Sequence, residues 1–120
     1  MTDLEFLKKL VFKTNKIVDL WGPIDPKTYC CSFCEHKIIF SFEFSDEEKD
    51  SRESNDLMPE VFFLVFTTQE GGHYKQIIAY DYDVSNNPLL LDFKSLYRAV
   101  INNKETLFQK RCDEFFKEES

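Results

Sequence analysis

A chain of 120 residues that is 42 % hydrophobic and 16 % aromatic can bury a core of its own, so the sequence predicts one folded domain over 1–120 rather than a disordered segment. A formal net charge of −7 disfavours nucleic acid and anionic membranes as partners, and only three Gly argue against a glycine-rich phosphate loop. No run approaches the roughly twenty apolar residues of a membrane helix, and the N-terminal residues lack the pattern of a secretory leader. The expected location is therefore cytoplasmic, with the four Cys as free thiols rather than a disulfide framework.

The first element is a helix. Thr2 followed by Glu5 is a capping-box pattern. Leu7, Leu10, Val11, Thr14, Val18 and Trp21 recur at helical spacing, and Gly22 with Pro23 supplies a stop. Residues 22–27, with two Pro and a Gly, read as a turn or loop, and residues 28–33 as a strand. Ile38, Phe40, Phe42 and Phe44 alternate with Ile39, Ser41 and Glu43, the period of a strand with one buried face. The short link from Cys34 to Lys37 implies a hairpin, although it holds none of the usual turn residues.

Val61 to Phe66 is apolar without a break, which predicts a central strand covered on both faces. A turn at Gly71 and Gly72 leads to a fourth strand over residues 74–84. After a turn at residues 85–88, Leu89 to Leu91 is either a short strand or the start of a helix. Asp92 reads as its cap, and Phe93, Leu96, Ala99 and Val100 have helical spacing. Asn102 and Asn103 read as an interruption, followed by a further helix over residues 104–117. The expected fold class is α+β: an antiparallel sheet of about four strands in two hairpins, packed with an N-terminal helix and two C-terminal helices.

The charge is concentrated in one place. Residues 41–60 contain eight acids and two bases, a net −6 of the total −7. Between 45 and 56 there is no apolar residue, so an exposed acidic loop is expected at about 45–58. Such a field steers basic partners, and the aromatic residues of the flanking strands could anchor them.

The other motifs carry less chemistry. Cys31, Cys34 and His36 have C-x-x-C-x-H spacing, but a zinc site needs four ligands, and only Cys30, Cys112 and His73 remain to complete one. A redox pair would sit at a helix N-terminus rather than between two strands. Glu35, His36 and His73 lie on turns without an evident nucleophile. Asp81 and Asp83 share a strand face but lack the nearby Glu and Lys of a strand-borne metal site. No cofactor is expected, and no nucleophile elbow or P-loop is present.

In size, acidity and lack of catalytic residues the chain is similar to bacterial immunity proteins, which neutralise nuclease toxins, though no motif matches residue by residue. The leading expectation is accordingly a non-enzymatic inhibitor of a basic partner. Asp46, Glu47, Glu48, Asp50, Glu53 and Asp56 would stand in for phosphates, with Phe44 and Tyr82 as anchors. One alternative is a homodimeric chaperone or adaptor for a secreted effector, using Val61 to Phe66 or Leu89 to Leu91 as the dimer face. Another is a small zinc domain or zinc enzyme using Cys31, Cys34 and His36.

Overall fold

Thr2 opens the first helix as its sequence predicts. Its hydroxyl accepts a hydrogen bond from the Glu5 N–H at 3.1 Å and donates to Glu5 Oε1 at 3.3 Å. The helix α1 runs Asp3–Lys16, with Asp3 and Glu5 in the first turn and Lys13 and Lys16 in the last, each sign suiting the helix dipole. The computed structural model describes residues 1–44, 58–68, 70–80 and 88–117. Its further elements are β1 (Gly22–Asp25), β2 (Thr28–Phe33), β3 (His36–Glu43), β4 (Val61–Thr67), β5 (His73–Tyr80) and α2 (Leu90–Phe116). The strands form one antiparallel sheet in the order β1-β2-β3-β4-β5. No described helix is long and apolar enough to cross a membrane.

This α+β architecture departs from the expectation in four ways. The sheet has five strands, because residues 22–25 pair with β2 instead of forming a loop. All four β1 residues are exposed, and Pro23 is tolerated because an edge strand needs no donor on its outer side. The chain returns through Pro26 and Lys27, where Asp25 Oδ1 accepts from the Lys27 N–H at 2.8 Å. Second, α1 stops at Lys16 rather than continuing to Trp21, with Ile17 in an extended conformation. Third, Leu89 is the N-cap of α2 and Asp92 lies in the first turn, so Asp92 is not the cap. Fourth, α2 is one helix of 27 residues that passes through Asn102 and Asn103 without interruption.

The second and fourth of these findings meet at one set of contacts. Asn103 is buried, and its Nδ2 donates to the Thr14 carbonyl at 2.7 Å. That carbonyl lies in the last turn of α1, where helix acceptors lack internal partners. The Thr14 hydroxyl donates to the Leu10 carbonyl at 2.7 Å and accepts from Trp21 Nε1 at 2.9 Å. Trp21 thus folds back onto α1 from outside the helix. A residue with poor helix propensity is held in α2 because a tertiary hydrogen bond outweighs the few tenths of a kcal/mol of propensity.

The core lies between one face of the sheet and the two helices. Tyr29, Cys31, Ile38, Phe40, Phe42, Phe62, Leu64, Phe66, Ile77 and Ala79 point inward from the strands and meet Leu7 and Leu10 of α1 and Leu90, Phe93, Leu96 and Val100 of α2. At its centre Phe40, Phe62 and Phe93 are fully buried and lie nearly parallel, with centroids 5.7 to 6.4 Å apart.

Candidate protein-binding face

The alternate residues of the strands build the other face of the sheet. Antiparallel register aligns them in rows: Cys30, Ile39, Val65 and Gln76; then Ser41, Phe63 and Ile78; then Glu43, Val61 and Tyr80. Cys30, Ile39, Val61, Phe63, Val65, Ile78 and Tyr80 are all half-buried. An antiparallel sheet with helices on one side ordinarily alternates apolar-in with polar-out. Here most outward residues of these rows are apolar, with Ser41, Gln76 and Glu43 as the polar members, and both described helices pack on the opposite face. The predicted two-sided burial of Val61 to Phe66 is therefore met on one side only. Phe62, Leu64 and Phe66 are buried, while Val61, Phe63 and Val65 remain partly accessible.

The last of these rows is where the acidic segment begins and ends. The chain leaves the sheet after Glu43 and Phe44 and returns at Met58 to Glu60, and the Glu60 N–H donates to the Glu43 carbonyl at 2.7 Å. Asp46, Glu47, Glu48, Asp50, Glu53, Asp56 and Tyr82 lie outside the described residues, as do Asp81 and Asp83. Phe44 lies on the helix side of the sheet, its ring against Phe42 at 5.9 Å and Tyr97 at 6.5 Å, with the Lys27 ammonium 6.0 Å from its centroid. It belongs to an aromatic cluster at the margin of the core rather than to the outer face. In the same cluster, burial, and secondarily Tyr29, hold the Tyr97 phenol above its usual pKa. The aromatic and aliphatic residues that the register does place on the outer face are Val61, Phe63, Ile78 and Tyr80. The unbroken apolar run of β4 was the signal for Val61 and Phe63.

The cysteine turn separates its members. Cys31 points into the core and is 5 % exposed, whereas Cys34 is exposed on the tip of the β2–β3 hairpin. Phe33 pairs with His36, leaving a two-residue turn in which Cys34 takes a φ of 55° at the position a type II′ turn reserves for Gly. His36 stands against Tyr74, ring to ring at 5.3 Å. No group of three or more His, Cys, Asp or Glu among the described residues could hold a metal ion.

Burial, then the neighbouring Cys30 thiol, pushes the Cys31 pKa up to about 12, Lys13 opposing only weakly. Cys31 is thus a neutral thiol at physiological pH. It helps wall a cavity of about 210 Å³ between α1 and β2, lined by Phe6, Leu10, Leu20 and Ile38, with Lys9 and Lys13 among the lining residues. The folded protein holds this proton to about pH 12, while an unfolded thiol loses it near 9. Stability from Cys31 is therefore complete below pH 9 and declines as pH rises through that interval. At pH 8 a disulfide reagent should label Cys34 rapidly and Cys31 only after denaturation, read by peptide mass mapping. Equal labelling of the two in the native protein would contradict this environment.

The fold defines a class: a five-stranded antiparallel meander with two helices on one face and an apolar second face. Scans against protein-family models, curated proteins and solved structures find no match to this chain.

Proposed function

We propose that this protein is a non-enzymatic binding protein that captures a basic protein partner. The observation that carries the reading is the apolar outer face of the sheet, which no described helix covers, ending at the row from which the chain leaves and to which it returns within the net −6 stretch of residues 41–60. Apolar residues supply the buried contact of a complex, and clustered carboxylates supply its long-range attraction and specificity. In the finer form of the reading the partner is a nuclease toxin and the protein its immunity-type inhibitor. The carboxylates Asp46, Glu47, Glu48, Asp50, Glu53 and Asp56 then meet the Lys and Arg that would otherwise bind phosphate.

The two parts separate kinetically. Converting those six acids to Asn and Gln lowers the association rate with the captured partner about ten- to a hundredfold at low salt and leaves dissociation little changed. Replacing Phe63 with Lys accelerates dissociation instead. Surface plasmon resonance across a salt series measures both. An association rate that ignores both salt and the six substitutions removes the electrostatic part, and a dissociation rate unmoved by Phe63→Lys removes the face.

A further inference from the structure

On the helix side of the sheet, away from the outer face, a cleft of about 260 Å³ lies between α2 and the segment that joins α1 to β1. Trp21, Tyr29, Val100 and Leu107 give it apolar walls. Two of its lining residues are pinned to Thr14, by hydrogen bonds from Trp21 Nε1 at 2.9 Å and from Asn103 Nδ2 at 2.7 Å. These bonds hold the walls apart, so the cleft is formed before any ligand arrives.

Two features of the lining point to an occupant. Lys104 and Arg111 stand about two turns apart on α2 with Leu107 between them, and neither makes an ion pair among the described residues. Asp19 is the one acid in the lining, and two cations against one anion favour a monoanion over a dianion or a cation. Tyr29 is the second feature. It is 3 % exposed, and its hydroxyl is buried with no hydrogen-bond partner. Buried hydroxyls are nearly always paired, because an unpaired one loses its water without replacement.

We propose that this cleft binds a small hydroxyaryl monocarboxylate. The ring lies among Trp21, Tyr29, Val100 and Leu107. The carboxylate pairs with the Arg111 guanidinium, whose planar fork suits both oxygens, and Lys104 adds to the attraction. The hydroxyl on the ring is the absent partner of the Tyr29 hydroxyl. The size agrees: a cavity of about 150 Å³ takes benzene, so by proportion this cleft takes roughly ten or eleven non-hydrogen atoms, the size of 4-hydroxyphenylacetate.

Trp21 is the one tryptophan of the chain, so its fluorescence reports on the cleft directly. Titrating the full chain with 4-hydroxyphenylacetate should give a saturable change with a Kd of about 0.1 mM, matched by isothermal calorimetry. Phenylacetate, which lacks the hydroxyl, should bind about tenfold more weakly, and Tyr29→Phe should abolish that difference while keeping the ring in the wall. Arg111→Gln should weaken both acids at least about tenfold and leave the thermal melt in place, since Arg111 is exposed. Tyramine, which carries a cation where the carboxylate stood, should not bind. The proposal is overturned by the absence of saturable fluorescence or heat up to ~10 mM acid, by tyramine binding as well as the acid, or by affinity indifferent to Arg111→Gln. A preference for the hydroxylated acid that persists in Tyr29→Phe overturns the pairing of the two hydroxyls.

Discussion

Phe62→Ala should destabilise the protein by about 3–5 kcal/mol, while Phe63→Ala one position along should lose only roughly 1 kcal/mol. The two rings sit on opposite faces of β4. Phe62 is fully buried and parallel to Phe40 and Phe93, with centroids 6.4 and 5.7 Å away. Truncating it leaves a cavity that the sheet on one side and α2 on the other cannot close. Phe63 lies on the outer face between Ser41 and Ile78 and is only half-buried. A domain of this size holds about 5–15 kcal/mol in total, so Phe62→Ala should lower the melting temperature by roughly 10–20 °C. Urea unfolding of both variants measures the contrast. Equal losses would mean that the outer face is packed within the single chain, and the proposed contact surface would be gone.

Asn103→Leu should lower stability by about 2–3 kcal/mol, against less than about 0.5 kcal/mol for Asn102→Leu. The substitution removes the 2.7 Å hydrogen bond to the Thr14 carbonyl and leaves that acceptor beside an apolar side chain. The effect should be spread across the joint between the helices, because Thr14 also holds Trp21 through its hydroxyl. Hydrogen exchange at the last turn of α1 should quicken in the Asn103 variant and stay unchanged in the Asn102 variant. Propensity argues for the opposite sign, since Leu is the better helix former by a few tenths of a kcal/mol. A stabilised Asn103→Leu would therefore mean that the hydrogen bond contributes nothing, and that residues 102–103 are a weak point in the helix.

This pair of Asn shows where sequence reasoning loses its hold. Read locally, two adjacent Asn interrupt a helix. Their conflict with helical geometry is resolved by a contact with Thr14, 89 positions away in the chain. The same holds for β1, whose four exposed residues carry no alternation of their own. The hydrogen-bonding edge that recruits them belongs to β2. Trp21 has helical spacing with α1 and is buried against it, yet it reaches that place from outside the helix. Spacing identifies the face a residue seeks, not the path its backbone takes.

The candidate face was legible in part. The unbroken apolar run of β4 and the polar segment before it stand out in the sequence. Which alternate residues face the helices does not, because β4 is apolar in both phases. Phe44 is free of that ambiguity, because the alternation of Ile38, Phe40, Phe42 and Phe44 already assigns it to the buried phase of β3. Its neighbour Glu43 belongs to the outer face, and a one-residue change of phase carries Phe44 to the core side.

The amino-acid order alone determined the α+β class, the capping box of α1, the central strands and the concentration of charge between β3 and β4. Each of these rests on periodicity or composition within a short window. Tertiary structure decided the fifth strand, the unbroken α2, the inward turn of Cys31 and the outward turn of Phe63. Each depends on contacts between segments far apart in the chain, and their free energy exceeds any local preference.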